Sequence, residues 1–226
     1  MSLRAALVGP GRMGTEVAHL WRQRGHRISA EIGRGDDLGA AAGADVAFEL
    51  TTPDAAAGNV ATLLALGLPT VCGTTGWDPS AAERQAGEAG VPLLVAPNFS
   101  IGVAVLRAAV AAAARRLAGG EGFAAGIVER HHVGKRDSPS GTAKMLAATV
   151  GELLGEAPPV VALRHGGQPG EHRVIFEGDE ETVELVHRAR SRRAFALGAV
   201  LAAEWLATER PAGAVTFEDF LERSRR

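Results

Sequence analysis

His131, His132, Lys135 and Arg136 fall within six positions of one another in the stretch "ERHHVGKRDSPSGTAKML". Such a cluster can hold an anion, and part of it can move protons. Of the 24 basic residues only Lys135 and Lys144 are lysines, the others being arginine. Arginine stays protonated, whereas lysine can release its proton and shifts its pKa when buried, so Lys135 is a candidate for acid/base work. Downstream, Ser140 is placed to cap a helix starting at Gly141, and the Gly141 and Thr142 backbone N–H groups would be free to bind a carboxylate or phosphate. Other chemistries compete. Paired histidines can bind metal, but no cysteine or carboxylate cluster completes a set at zinc-like spacing, and Asp137 reads better as an acceptor within the loop; no metal is expected. Ser140 lacks the G-x-S-x-G elbow and the base with its orienter that a serine hydrolase needs. A solvated basic loop followed by a capped helix would give the same pattern.

A second motif lies near the start of the chain. Gly9, Gly11 and Gly14 form G-x-G-x-x-G in "GPGRMG", after an apolar strand and at the opening of a helix with Val17, Leu20 and Trp21 on one face. In that context the first glycine permits a tight turn, the second lets backbone approach a pyrophosphate, and the third lets helix and strand pack closely. An acid ending the second strand would bind a ribose; Glu31 is at about the right distance, as are the acids of "GRGDD", and Glu31 could equally pair with a nearby arginine. Arg34 lies in the loop where a 2′-phosphate would sit, which favours NADPH. "GTTG" from Gly73 and "APNFS" from Ala96 follow predicted parallel strands at their carboxyl ends, where open sheets bind ligands, although both could be simple turns.

The elements that must position these residues follow from periodicity. Through about residue 100, apolar runs ("RISAEIG", "ADVAFELTT", "PTVCG", "VPLLVAPN") alternate with helical patterns, including one after Pro53, and predict a doubly wound parallel sheet. After the alanine-rich helix "IGVAVLRAAVAAAARRLAGG", which ends in the paired glycines 119 and 120, the pattern becomes α+β. "FAAGIVERHH" and "HRVIFEGDEETVELVHRA" read as strands, the second pair joined by an acidic Gly-Asp turn. "AFALGAVLAAEWLA" reads as a helix, and "GAVTFEDFLE" as a short strand or turn with a closing helix. The mixed charges, net −2, give no nucleic-acid footprint. No apolar run approaches the roughly 20 residues that cross a bilayer. A single cysteine and a start without signal-peptide features point to a cytoplasmic protein with a small-molecule partner.

"ERHHVGKRDSPSGTA" closely resembles the signature E-x-H-H-x-x-K-x-D-[AS]-P-S-G-T-A of the dihydrodipicolinate reductase (4-hydroxy-tetrahydrodipicolinate reductase) family. The resemblance covers nearly the whole chain, since "GPGRMG", "ELTTP", "GTTGW", "APNFSIGV", "GGQPGEHRVIF" and "VELVHRARSRRAFALGAVLAAEWL" occur in family order. It implies a Rossmann-type domain of residues 1–100 and 196–226, its sheet completed by the C-terminal segment, and a central α+β domain of residues 101–195 that binds substrate and forms a homotetramer. It implies an enzyme of lysine and diaminopimelate biosynthesis that uses NADPH or NADH to reduce a cyclic dicarboxylate made from aspartate semialdehyde and pyruvate. By position, His131 is then the acid/base residue and Lys135 the proton donor, while His132 and the Gly141–Thr142 backbone hold carboxylates. Gly9, Gly11, Arg12, Met13, Gly14, Gly73, Thr74, Thr75, Ala96, Pro97, Asn98 and Phe99 match cofactor contacts. Two departures concern the adenine end. Many members carry an acid followed by an arginine where this chain has Gly33-Arg34, and the crossover before "ADVAFEL" is short enough that its covering helix is expected to be trimmed. Two domains imply a cleft that closes, with hinges near residues 98–101 and 191–195. Another two-domain reductase of a small anionic substrate, or a dinucleotide-binding regulator without turnover, are the alternatives.

Overall fold

The structure is a computed structural model that describes residues 2–118 and 122–224; the paired glycines 119 and 120 fall outside the described residues. In chain order the first elements are β1 (Arg4–Val8), α1 (Arg12–Gln23), β2 (Arg27–Ile32), a 3-10 turn (Leu38–Ala41), β3 (Val46–Glu49), α2 (Pro53–Ala65), β4 (Thr70–Cys72), α3 (Ser80–Ala89) and β5 (Leu93–Val95). Then come α4 (Ile101–Leu117), β6 (Ala124–His131), α5 (Gly141–Leu154), β7 (Val160–Arg164), β8 (Glu171–Glu177) and β9 (Thr182–Arg188). The chain closes with α6 (Arg193–Glu209), β10 (Ala214–Val215) and α7 (Phe217–Arg223).

Two compact units result: one runs to Ser100 and resumes at Arg193, and the other spans Ile101–Arg192. The return to the first unit falls at Arg193 rather than at residue 196, because α6 begins there as one uninterrupted helix.

In the first unit six parallel strands lie in the order β10-β5-β4-β3-β1-β2. All four residues of β3 are buried, as expected for a parallel strand covered on both faces. The predicted face of α1 is buried through Val17, Leu20 and Trp21, and Trp21 packs edge-on against Phe48 of β3. Between β2 and β3 only the 3-10 turn remains where a covering helix would lie, so the expected trimming is present. "GAVTFEDFLE" supplies β10, paired with β5, and α7, whose start is closed by a reciprocal capping box of Thr216 and Asp219.

The second unit is a four-stranded sheet of order β7-β6-β8-β9. β8 and β9 form the expected hairpin. β7, which no sequence pattern announced, pairs parallel to β6 and makes β6-α5-β7 a crossover unit. Its core joins Leu106 and Val110 of α4, Leu146 and Val150 of α5, Ile127 of β6, and Val174 and Phe176 of β8. Strand alternation sends Ile127, Glu129 and His131 to that buried face.

Candidate active site

In the first unit the carboxyl ends of β1, β2 and β3 open on a cleft of about 500 Å³, lined among others by Gly9, Gly11, Gly33, Arg34, Thr51 and Asn59. This is where β1 sends the chain to β2 on one side while β3 lies on the other, the position at which open α/β sheets bind ligands. Each motif glycine has a distinct reason. Gly9 holds φ +93°, and a Cβ there would lie 2.4 Å from the Leu50 carbonyl oxygen. A Cβ on Gly14 would lie 2.3 Å from the Gly9 carbonyl oxygen, so the close packing of α1 on the turn requires its absence. A Cβ on Gly11 would meet no protein atom within 4 Å. Its backbone therefore faces open space at the start of α1, as a pyrophosphate cradle requires. These residues fit a nicotinamide dinucleotide.

The Gly33 N–H donates to Asp36 Oδ2 at 2.8 Å, closing a turn that carries exposed Arg34 on the cleft wall. Glu31 does not line the cleft, and its Oε1 accepts from Arg22 Nη2 at 2.6 Å, so the arginine-paired alternative describes it. The opposite wall depends on a residue that sequence reading passed over. Fully buried Glu49 ends β3 and accepts from Thr51 Oγ1, from Asn59 Nδ2 at 3.1 Å and from the Cys72 thiol at 3.3 Å. Burial, reinforced by that carboxylate, pushes the Cys72 thiol up, leaving no reactive thiolate. Arg12, Met13 and Gly14 form the first turn of α1. Gly73, Thr74 and Thr75 follow β4, and Ala96, Pro97, Asn98 and Phe99 follow β5, outside the wall of this cleft. A Cβ on Gly73 would lie 2.7 Å from Leu50 Cδ2 and 2.9 Å from the Phe99 ring, so this glycine lets the segments after β3, β4 and β5 pack closely.

In the second unit the site is built around Glu129, none of whose surface is exposed. Its Oε1 accepts from Arg164 Nη2 at 2.6 Å and from the Ser140 N–H at 3.1 Å, and its Oε2 is hydrogen-bonded to His131 Nδ1. Register explains the gathering. His131 pairs with Arg164 across β6-β7, and Glu129 pairs with His172 across β6-β8. Ser140 caps α5, accepting from the Ala143 N–H at 3.2 Å, while its Oγ lies 3.1 Å from His172 Nε2. Burial acts to raise the Glu129 carboxyl, but Arg164, the Ser140 amide and the neighbouring His131 hold it below the usual range. Burial lowers His131, and the upward pull of Glu129 does not fully offset it. Burial and the charge of His131 press His172 down to about 4.

The loop from His132 to Ser140 is pinned to the β7-β8 connection by the His132 N–H on the Gln168 carbonyl at 2.9 Å and the Val133 N–H on the Gly166 carbonyl at 3.3 Å. His132 and Lys135 are half-buried, and Arg136 is exposed. Lys135 Nζ lies 2.8 Å from Asp137 Oδ1, so Asp137 is an acceptor within the loop, as expected. The expectation that the Gly141 amide is free is corrected: it donates to Asp137 Oδ2 at 3.3 Å, because the loop turns that carboxylate back over the start of α5.

Glu129, Arg164 and His172 were missed by the sequence reading. Glu129 stands two positions before His131 on a strand, which alternation alone places on one face; Arg164 and His172 arrive only through strand register. The same fold alters the ground on which no metal was expected, for ligand atoms of Glu129, His131 and His172 all lie within 4.8 Å of one another, a grouping invisible to spacing along the chain. Both Glu129 oxygens already have protein partners here. Among the described residues no helix is long and apolar enough to cross a membrane.

A parallel sheet whose glycine-rich turn opens on a cleft at its carboxyl edge, with a separate sheet bearing a buried Glu-His pair, is the architecture of a two-domain NAD(P)H-dependent oxidoreductase. Family models described as dihydrodipicolinate reductase, N-terminus and C-terminus, match residues 3–99 and 102–221. The chain belongs to the dihydrodipicolinate reductase family. It is 37% identical to a 4-hydroxy-tetrahydrodipicolinate reductase of Anaeromyxobacter dehalogenans over 93% of this chain and 94% of that one. It is 36% identical to a 4-hydroxy-tetrahydrodipicolinate reductase of Christiangramia forsetii over 97% and 98%. In fold it is similar to dipicolinate-bound dihydrodipicolinate reductase from Paenisporosarcina sp. TG-14, with a TM-score of 0.79 at 23% identity over 96% of this chain and 98% of that one.

Proposed function

We propose that the chain reduces 4-hydroxy-tetrahydrodipicolinate to tetrahydrodipicolinate in lysine and diaminopimelate biosynthesis. The observation that carries the reading is a cationic cluster at the start of α5, built on a buried carboxylate, in a chain that also carries the Gly11 and Arg34 cleft. The C4 hydroxyl leaves the ring as water, and NAD(P)H, when bound, would supply the hydride that adds at C4 in its place. His132 and the amides of Gly141 and Thr142 hold the two ring carboxylates, the substrate taking the place of Asp137 on the Gly141 amide. His131 is the acid/base group, and Lys135, released from Asp137 as the anion binds, donates the proton that completes reduction. Gly9, Gly11, Arg12, Met13, Gly14, Gly73, Thr74, Thr75 and Ala96 to Phe99 contact the dinucleotide, and Arg34 takes the 2′-phosphate, so that NADPH is accepted as well as NADH. The test is a coupled assay. NADPH oxidation should require aspartate semialdehyde and pyruvate freshly condensed together; oxidation with another small anionic substrate alone would move the chain to a different reductase, and no oxidation at all would favour a regulator.

The working assembly is a homotetramer joined through the second unit. Supporting this, the sheet face turned away from the core of that unit carries Val161, Val128, Arg173 and Val186 in one row across all four strands. Val161 is 54% exposed and Leu163 on the same strand 41%, an apolar surface of the kind that oligomers cover.

A further inference from the structure

We infer that Glu129 is a positioning residue that fixes the tautomer of His131, keeping the proton on Nδ1 so that Nε2 is the nitrogen that exchanges a proton with substrate. The inference rests on the reading of His131 as the acid/base group and extends it to a residue that does not itself touch substrate. An ionised carboxylate can only accept hydrogen bonds. The Glu129 carboxylate is held ionised and oriented by the Arg164 guanidinium and the Ser140 amide, both on Oε1, which turns Oε2 to His131 Nδ1. A neutral His131 must then donate from Nδ1. A Cβ built on Gly170 would lie 2.9 Å from His131 Nε2, so a side chain at 170 would obstruct the working nitrogen and the glycine leaves that side of it open. The three elements that hold the carboxylate are rigid: Glu129 lies within β6, Arg164 ends β7, and Ser140 caps α5. A divalent ion among Glu129, His131 and His172 would have to break the Glu129–His131 bond and sit beside the Arg164 guanidinium, so hydrogen bonding is the better use of these atoms.

Glu129→Gln separates orientation from packing. With Arg164 and Ser140 both donating to one position, the amide oxygen stays there and the amide NH2 turns to His131 Nδ1, which must now accept. In full-length protein with 15N-labelled histidine at neutral pH, His131 should carry its proton on Nδ1 in the wild type and on Nε2 in Glu129→Gln. Turnover should fall by about 100-fold or more while KM for NADPH stays within about threefold, and Glu129→Asp should keep the wild-type tautomer and recover part of the turnover. A wild-type His131 protonated on Nε2, a Glu129→Gln variant that retains the Nδ1 proton, or one with turnover within about threefold of wild type overturns the inference. Should Glu129→Gln fail to fold, the wild-type tautomer decides alone. His131→Asn separates the two layers: if it abolishes turnover where Glu129→Gln does not, the positioning role is wrong and the acid/base role stands. If His131→Asn is fully active, the acid/base role falls and the inference falls with it.

Discussion

At the scale of residues, the two groups with the clearest expected effects are Lys135 in the second unit and Arg34 in the first. Lys135 is one of two lysines, and its ammonium is held by Asp137 at 2.8 Å, ready to exchange one carboxylate for another. Lys135→Ala should lower turnover by roughly 100-fold or more in steady-state kinetics, with NADPH affinity by calorimetry unchanged; near-normal turnover in folded protein removes its catalytic role. Arg34 lies in a turn closed by Asp36 on the wall of the cleft, where the proposed function puts the 2′-phosphate. Arg34→Ala should weaken NADPH by roughly tenfold, as loss of a charge-assisted contact does, and leave NADH nearly unaffected; equal losses would place Arg34 elsewhere. His131, His132 and Lys135 were legible because they are neighbours in sequence. Glu49 was not, because a carboxylate at the end of an apolar strand gives no local sign of the hydroxyl, amide and thiol that the fold brings to it.

At the scale of elements, the strands were legible where alternation or buried runs marked them, and the site was legible only as far as those strands went. β7 carries apolar residues on both faces in a five-residue run after two prolines, a pattern too short to separate from a loop. With β7 missing, Arg164 had no place beside Glu129. The pairing of β8 with β6 likewise sets His172 against Glu129, and this has a consequence for stability. A histidine titrates near pH 6.5 when unfolded, and His172 is pressed down to about 4 in the fold by burial and by His131. The folded state therefore disfavours its charged form, so this stabilisation is complete above about pH 6.5 and is lost as pH falls towards 4. Burial lowers His131 and His187 as well, with the same sign. Urea unfolding should find the protein less stable at pH 5 than at pH 7, by roughly 2 kcal/mol from His172. The loss should shrink in His172→Gln; an unchanged pH dependence in that variant would mean that His172 does not carry it.

At the scale of the whole molecule, the doubly wound unit and the α+β unit were both legible from the change of pattern after residue 100. "GAVTFEDFLE" was legible as a short strand or turn, but its return to the first sheet was legible only by resemblance, since a two-residue strand carries no pattern that says which sheet it joins. The row of Val161, Val128, Arg173 and Val186 across the sheet gives assembly a specific test. Val161→Arg should reduce the mass measured by light scattering below that of a tetramer without unfolding the second unit; an unchanged tetramer would locate the interface elsewhere. The central claim is the reduction itself, and hydride tracing reaches it most directly. With NADPH deuterated at nicotinamide C4 and freshly condensed aspartate semialdehyde and pyruvate, mass spectrometry should find deuterium at C4 of the tetrahydrodipicolinate ring, from one face of the nicotinamide only. NADPH oxidised with no deuterium in the ring from a label on either face would contradict the account.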